Sequence, residues 1–156
     1  VIPTDDSCSE VLSDRLAGFQ AALAAQGITH DPALIVRPVT ASLEFGYQAV
    51  RQWLAKGGSG FTAAFCNNDE VAVGALRAFR EAGIRVPDDL ALVGFDDLPI
   101  ASFCTPALTT VRQDFASLAQ RVVDGFLPLC ERQKQQPLRC VLTPELVVRT
   151  SCGAQR

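Results

Sequence analysis

The sequence has few of the residue types on which common metal and catalytic sites depend. Its 156 residues include a single histidine, His30, and its six cysteines form no C-x-x-C pair. A zinc site needs three or four closely spaced histidine, cysteine or carboxylate ligands, so we expect no metal here. Because His30 follows the predicted turn at Gly27, it offers no Ser-His-Asp set either.

Positive charge is also scarce. The chain has 14 lysine and arginine residues against 17 aspartate and glutamate residues, which gives a formal net charge of −3, and its only lysines are Lys56 and Lys134. The densest basic clusters are Arg77 with Arg80 and Arg132 with Lys134, and they fall far short of the stripe that neutralises nucleic-acid phosphates. The composition therefore argues against DNA binding by these residues themselves.

Long apolar runs are absent as well. The longest, near Leu90 to Phe95, is much shorter than the roughly 20 residues of a membrane-spanning helix, so we expect no membrane partner. With 48% apolar and 20% charged residues, the sequence is typical of a folded globular protein. It begins at Val1 without a methionine or a signal-peptide pattern, from which we expect a fragment or a processed chain.

The cysteines are scattered along the chain. We expect free, buried thiols in a reducing compartment, although their even number leaves disulfides open. They are Cys8, Cys66, Cys104, Cys130, Cys140 and Cys152.

Segments with strand character alternate with segments of helical spacing. This alternation predicts a doubly wound α/β fold with a parallel sheet. The predicted helices run from Ser9 to Gly27, from Ser42 to the glycines at 57–60, from Asn68 or Asp69 to Gly83, and over 115–131. The predicted strands lie at 1–2, 34–36, 61–66, 90–95, 108–111 and 139–149, the last interrupted at Pro144, with a loop over 99–106.

Polar residues follow two of the predicted strands, at the edge where ligands bind in open α/β sheets. Asn67-Asn68-Asp69 follows one strand and Asp96-Asp97 follows the next. Asn68 could bind a ligand or simply cap a helix. Asp96 could accept hydrogen bonds from ligand hydroxyls, or the pair could open a turn before Pro99 with Asp96 bonded to backbone amides.

Three further residues complete a candidate pocket. Arg15 lies in the first predicted helix, and Gln113 and Phe115 follow a later strand. Arg15 could equally be an exposed helix arginine, and Phe115 a core aromatic. Together, an arginine, an amide, a carboxylate and an aromatic suit a sugar or polyol, because each hydroxyl needs a donor and an acceptor while the ring face needs an apolar surface.

An enzymatic interpretation has less support. Asp96 paired with Asp69 or Asp5 around Mg²⁺ would suit a phosphotransferase or a phosphatase, but no further catalytic group accompanies them. Gly58-Ser59-Gly60 follows a helix and precedes a strand, the reverse of the order in a phosphate-binding loop. We therefore expect no catalytic residue and no cofactor.

Six segments occur in one order along nearly the whole chain: DRLAGF at 14–19, NDEVAVGAL at 68–76, GIRVPDDL at 83–90, VGFDD at 93–97, TPALTTVRQ at 105–113 and PELVVR at 144–149. This set resembles the effector domain of the lactose-repressor and galactose-repressor (LacI/GalR) family of bacterial transcription regulators. The resemblance implies a type I periplasmic-binding-protein-like fold with an effector between two lobes. Residues 1–112 would form most of the C-terminal lobe, 113–138 a return segment of the N-terminal lobe, and 139–156 a strand at the lobe junction and a tail.

The same resemblance implies a site and a function. By position, the ligand contacts would be Arg15, Asn68, Asp96, Gln113 and Phe115, whereas Ala41 stands where many members have an aromatic that stacks on the ligand. The family implies a cytoplasmic homodimer, paired through the helix after Asn68 and the loop over 100–106, that senses a small polar effector such as a sugar. Operator DNA would be bound by a helix-turn-helix headpiece absent from this sequence.

One alternative of the same fold is a periplasmic sugar-binding receptor that feeds an ABC transporter. The run VPDDLALVGFDD at 86–97 favours the regulator.

Overall fold

A computed structural model describes residues 10–36, 40–58, 60–130 and 140–154. Within these ranges, short strands alternate with helices, as the sequence predicts. The helices are α1 (Glu10–Ala25), α2 (Leu43–Ala55), α3 (Asp69–Glu81), α4 (Pro99–Phe103) and α5 (Phe115–Cys130). The strands are β1 (Ala63–Phe65), β2 (Ala91–Val93), β3 (Thr110–Arg112) and β4 (Glu145–Val147), and single 3₁₀ turns occur at Pro32–Leu34 and Thr150–Cys152.

The sheet is mainly parallel, which confirms the predicted α/β class. β1 pairs parallel with β2, Ala63 lying opposite Ala91. Single parallel bridges, one of them between Val93 and Thr109, connect β2 to β3. The last strand, β4, instead runs antiparallel to β3. Because the parallel strands run in one direction, the residues that follow β1, β2 and β3 lie at one edge of the sheet.

The core lies between the sheet and the helix pair α2 and α3. Leu92 and Leu108 from the sheet side and Phe79 from α3 are almost completely buried. The two helices approach closely at glycines: a Cβ atom at Gly74 would overlap the backbone oxygen of Leu43. This close contact fixes α3 against α2. The buried side chains of α3 share one core cluster with Leu92 of the sheet, which restrains the first residues of the helix.

The predicted helix ends are largely confirmed. The Ser42 side chain accepts a hydrogen bond from the Phe45 amide at 3.2 Å, and the Asn68 side chain accepts one from the Val71 amide at 2.9 Å. Gly83, with φ +75°, follows α3, as a glycine commonly does at a helix C-terminus. Two further predicted helix limits, Ser9 and Glu131, lie outside the described residues.

Some predicted elements are wrong. Residues 34–36 form no strand, because Asp31 accepts a hydrogen bond from the Ala33 amide at 2.8 Å and Pro32 begins a 3₁₀ turn instead. Part of the predicted loop over 99–106 is the short helix α4, in which Pro99 takes a first-turn position that suits its fixed φ. The predicted strand over 139–149 is reduced to β4, and residues 1–2 and 139 lie outside the described ranges.

The cysteines differ in burial. Among the described residues, Cys66, Cys104, Cys130, Cys140 and Cys152 are free thiols, and Cys8 lies outside this part of the chain. Of these five described cysteines, Cys66 alone is fully buried, and burial raises the pKa of its thiol to about 12. The expectation of buried thiols is therefore wrong for the exposed Cys130. No helix in the described part of the chain is long and apolar enough to cross a membrane.

Candidate functional site

Three of the five predicted ligand contacts lie together at the carboxyl edge of the sheet. Asp96 follows β2, Gln113 follows β3, and Arg15 reaches them from α1. Gln113 Nε2 donates to Asp96 Oδ1 at 2.6 Å, and Arg15 Nη2 donates to the same oxygen at 3.3 Å. The alternative in which Asp96 bonds to backbone amides through its side chain is thus not the arrangement seen. Oδ1 accepts both of these hydrogen bonds, and Oδ2 accepts neither of them.

Arg15 is held on three sides. Besides Asp96, it contacts the backbone oxygen of Asn67, to which Nη1 donates at 2.5 Å. Its guanidinium carbon lies 3.8 Å from the centroid of the Phe95 ring, a cation–π geometry that favours the charged group. Only 15% of its side chain is exposed. Arg15 is therefore a fixed part of this edge and not an ordinary exposed helix arginine.

Burial and pairing act in opposite directions on the two charges. Burial lowers the pKa of the Arg15 guanidinium, against the raising effect of Asp96. Burial likewise raises the pKa of the Asp96 carboxyl, although the Gln113 hydrogen bond and the Arg15 charge oppose the shift. Each ion is thus incompletely compensated by its present partners. A polar ligand that hydrogen-bonds to both groups would supply part of the solvation they lack.

The backbone that presents Asp96 is unusual. Asp96 has φ +105° and Asp97 has φ +56°, in the region that residues with a side chain rarely adopt. Strained backbone of this kind persists only where surrounding contacts hold it, and it is often found at functional sites. The turn after β2 is therefore held in a specific conformation.

The Asp69 side chain holds this turn through a hydrogen bond to its backbone. It is fully buried at the start of α3. Its Oδ2 accepts a hydrogen bond from the Leu98 amide at 2.7 Å, and its Oδ1 accepts one from the Thr110 hydroxyl at 2.6 Å. Burial raises the pKa of this carboxyl, and the two hydrogen bonds oppose the shift. Asp69 thus connects α3, β3 and the turn after β2.

The enzymatic interpretation required Asp96 with Asp69 or Asp5 around Mg²⁺. Both carboxylate oxygens of Asp69 are already bonded to protein donors, and Asp5 lies outside the described residues. Within the described ranges, no group of three or more His, Cys, Asp or Glu side chains is arranged to hold a metal ion.

The other two predicted contacts are placed differently. Asn68 caps α3 through its side-chain oxygen, which accepts from the Val71 amide. Phe115, the first residue of α5, is half exposed, so it is not the core aromatic of the alternative interpretation. A cavity of ≈ 200 Å³ has Phe95, Gln113 and Leu118 of α5 in its wall together with the segment before β4, whereas Phe115 is not among its wall residues. Ala41 packs at the margin of the core.

Sequence reasoning missed several contacts of this edge. The Phe95 ring under Arg15 belonged to a run that indicated only a buried strand. The backbone oxygen of Asn67 bonds to Arg15, while the Asn67 side-chain Oδ1 is buried without a hydrogen-bond partner among the described residues. Asp97 was grouped with Asp96, but it is bonded to two arginines instead. Only the placement of Asn67 and Asp97 at strand ends could have indicated them.

Comparison with known proteins identifies the family. The periplasmic binding protein-like domain matches residues 2–152. The chain is 42% identical, over 139 residues, to an uncharacterized HTH-type transcriptional regulator of Streptomyces limosus, covering 88% of this chain and 39% of the relative. The chain belongs to the periplasmic binding protein-like family, with LacI/GalR-type regulators as its relatives.

Solved structures agree with this assignment. The LacI/GalR-type domain superposes on the transcriptional regulator CelR in complex with cellobiose with a TM-score of 0.87, at 28% identity, over 97% of this chain and 46% of that one. It also matches the Lac repressor dimer bound to operator and the anti-inducer ONPF, with a TM-score of 0.83 and 34% identity over 97% and 44% of the two chains. The domain thus spans less than half the length of these relatives.

Proposed function

We propose that this LacI/GalR-type domain is the effector-sensing region of a cytoplasmic transcription regulator. Its ligand is a small polar molecule, a sugar or a sugar derivative, and it catalyses no reaction. The observation that supports this function is the cluster of Arg15, Asp96 and Gln113 at the carboxyl edge of the sheet, where Asp96 Oδ1 accepts from both partners.

The chemistry of the cluster suits a hydroxylated ligand. Arg15 supplies hydrogen-bond donors, Asp96 supplies an acceptor, and the Gln113 amide supplies both. Phe95 lines the cavity at this edge, and the half-exposed Phe115, two residues after Gln113, offers further apolar surface for a sugar ring. Asn68 is the remaining proposed contact, because capping uses only its side-chain oxygen. The similar regulator CelR is a cellobiose complex, which is consistent with a sugar.

The apolar face of α5 supports the proposed division into lobes. Val122 and Phe126 on this helix are both more than 60% exposed. We assign residues 1–112 to the C-terminal lobe, 113–138 to a return segment of the N-terminal lobe, and 139–156 to the junction strand and tail. A ligand that contacts both lobes would stabilise one lobe orientation, and only such a differential affinity can shift the equilibrium between two states.

The partners follow the same proposal. Operator DNA would be bound by a helix-turn-helix headpiece outside this sequence, in keeping with the net charge of −3. The protein would pair with a second copy through α3 and the segment that includes α4. On α4, Phe103 is 85% exposed, and the similar Lac repressor is a dimer bound to operator.

Substitution of the two charged residues tests the site. In the intact protein, Arg15→Ala and Asp96→Ala should each weaken sugar binding about tenfold to a hundredfold, because a hydrogen bond to a charged group contributes roughly 1.5–3 kcal/mol. Isothermal titration calorimetry with cellobiose, D-galactose and D-ribose measures the affinity. The control is Arg85→Ala, which removes an exposed pair with Asp89 and should leave binding unchanged.

The two parts of the proposal fail in different ways. Unchanged affinity in both Arg15→Ala and Asp96→Ala would refute the site assignment. Binding of none of the three sugars by the unsubstituted protein would refute the ligand class. A cooperative thermal melt of each variant establishes that it is folded.

A further inference from the structure

Asp97 stands beside the ligand-facing Asp96, yet its carboxylate is directed at different groups. Its Oδ1 accepts from Arg149 Nη2 at 2.6 Å, and its Oδ2 accepts from Arg112 Nε at 2.7 Å. We infer that Asp97 is a positioning residue, which sets the Asp96 carboxylate for ligand binding and connects it to the C-terminal segment after β4. The inference rests on the proposed function, since it assigns Asp96 the role of ligand contact.

The backbone conformation explains why Asp96 needs such a neighbour. Asp96 and Asp97 both have positive φ, and nonglycine residues adopt this conformation only where other contacts hold it. Backbone bonds fix one side of the turn: the Asp96 amide donates to the Val111 oxygen at 2.8 Å, and the Leu98 amide donates to Asp69. The arginine pair fixes the other side through the Asp97 side chain.

The Asp97 carboxylate is largely buried, so its pairing with Arg149 is not an ordinary surface ion pair. Its side chain is only 9% exposed, and Arg149 is also largely buried. The hydrogen bonds from Arg112 and Arg149 outweigh the raising effect of burial, so the pKa of the Asp97 carboxyl lies below its ordinary value. Exposed ion pairs contribute little to stability, whereas a buried carboxylate with two guanidinium partners has a defined orientation.

The partners of Asp97 lead away from the ligand site. Arg149 follows β4, and its Nη1 also donates to the Leu108 backbone oxygen at 2.8 Å. Arg112 belongs to β3, directly before Gln113, the residue that donates to Asp96. The adjacent residues Asp96 and Asp97 therefore contact Gln113 and Arg112, which are themselves adjacent at the end of β3. A movement of Asp96 on ligand binding would reach Arg149 through one intervening residue.

The test compares two variants of the intact protein. Asp97→Asn retains the size of the side chain but removes its charge. Ser151→Ala loosens the same C-terminal segment, because the buried Ser151 hydroxyl bonds to the Leu92 oxygen and the Thr109 amide, but Ser151 contacts neither aspartate. The ligand-free readouts are the three-bond amide-to-α proton coupling of Asp96, which reports its φ, and the ¹³C shift of its carboxyl carbon. Calorimetry with cellobiose, D-galactose and D-ribose gives the affinity.

We expect Asp97→Asn to change the Asp96 coupling and carboxyl shift and to weaken sugar binding at least tenfold. Ser151→Ala should lower the melting temperature while leaving both Asp96 signals and the affinity unchanged. If Asp97→Asn fails to fold, Arg149→Lys takes its place. Lysine retains the positive charge but lacks the planar guanidinium that bonds to two groups at once, so this variant should change the same signals to a smaller extent.

Two results would overturn the inference. One is that the Asp96 signals of Asp97→Asn, or of Arg149→Lys in its place, match those of the unsubstituted protein. The other is that Ser151→Ala changes them equally, which would show a general structural effect. Lack of sugar binding by the unsubstituted protein would contradict the proposed function instead, and the NMR signals would still decide whether Asp97 positions Asp96.

Discussion

Helices α3 and α5 begin in the same way but differ in burial. Each follows a strand, and each has an Asn or Asp side chain that accepts a hydrogen bond from an amide in its first turn. On α3, the apolar residues Val71 and Phe79 are at most 1% exposed, whereas Val122 and Phe126 on α5 are more than 60% exposed. The apolar pattern of a helix therefore indicates that one face will be covered, but it does not indicate by what.

The difference also separates two kinds of functional contribution. The rigid packing of α2 and α3 fixes Asp69, and Asp69 in turn fixes the turn that presents Asp96. On α5, Leu118 lines a cavity, and no cover for the apolar face of this helix is found in the described parts of the chain. Packing within this chain therefore fixes the site residues that depend on α3, and it leaves the face of α5 uncovered within the described residues.

The largest predicted effect contrasts a phenylalanine on each helix. Phe79→Ala should lower the free energy of unfolding by about 3–5 kcal/mol, because it leaves a cavity in the core. Phe126→Ala should change it by no more than about 0.5 kcal/mol, since the side chain is mostly exposed. Urea denaturation of this 156-residue chain measures both. An equally large loss for Phe126→Ala would show that residues outside the described ranges bury the face of α5.

A smaller effect is expected from glycine substitutions. Gly74→Ala on α3 should destabilise the protein by about 1–3 kcal/mol, because its Cβ would overlap the backbone of α2. Gly18→Ala on α1 is the control: no atom lies within 4 Å of the added Cβ, so the higher helix propensity of alanine should stabilise by about 0.5–1 kcal/mol. Thermal melts of the two variants should therefore shift in opposite directions. A stabilised Gly74→Ala would contradict the close contact of α2 and α3.

The parts of the fold that could be predicted from the sequence depend on local interactions. The caps at Ser42 and Asn68 join groups three residues apart, so a short window of sequence contains both partners. The direction of β4 could not be predicted, because it depends on pairing with β3 more than 30 residues earlier. The strand predicted at 34–36 does not form, because the turn that Asp31 and Pro32 begin outweighs the β-branched residues Ile35 and Val36 that follow it.

The candidate site shows the same limit. Placement after parallel strands, together with the family resemblance, indicated Asp96 and Gln113 before the structure brought them within 2.6 Å. The Phe95 ring beneath Arg15 and the two arginines on Asp97 could not be foreseen, because those contacts join residues 15 to 80 positions apart. Local patterns indicate which residues reach the edge of the sheet but do not determine how they pair there.

The smallest predicted effect concerns the first turns of the two helices at acid pH. Asp114 precedes α5, and its carboxylate accepts hydrogen bonds from the Ser117 hydroxyl at 2.6 Å and the Ser117 amide at 2.9 Å. These bonds lower the pKa of the Asp114 carboxyl. The stabilisation they provide is present above the unfolded-state pKa, about 3.9, and is lost as the pH falls through the lower folded-state value. Asn68, the cap of α3, does not titrate.

Hydrogen exchange therefore distinguishes the two helix starts. As the pH falls below about 4, the Ser117 amide should lose protection relative to its intrinsic exchange rate before the Val71 amide does. Asp114→Asn is the matched control, because it keeps a capping oxygen that cannot be protonated in this range, and the early loss at Ser117 should disappear. If Ser117 lost protection at the same pH in the variant, the effect would come from general unfolding of α5 and not from its cap.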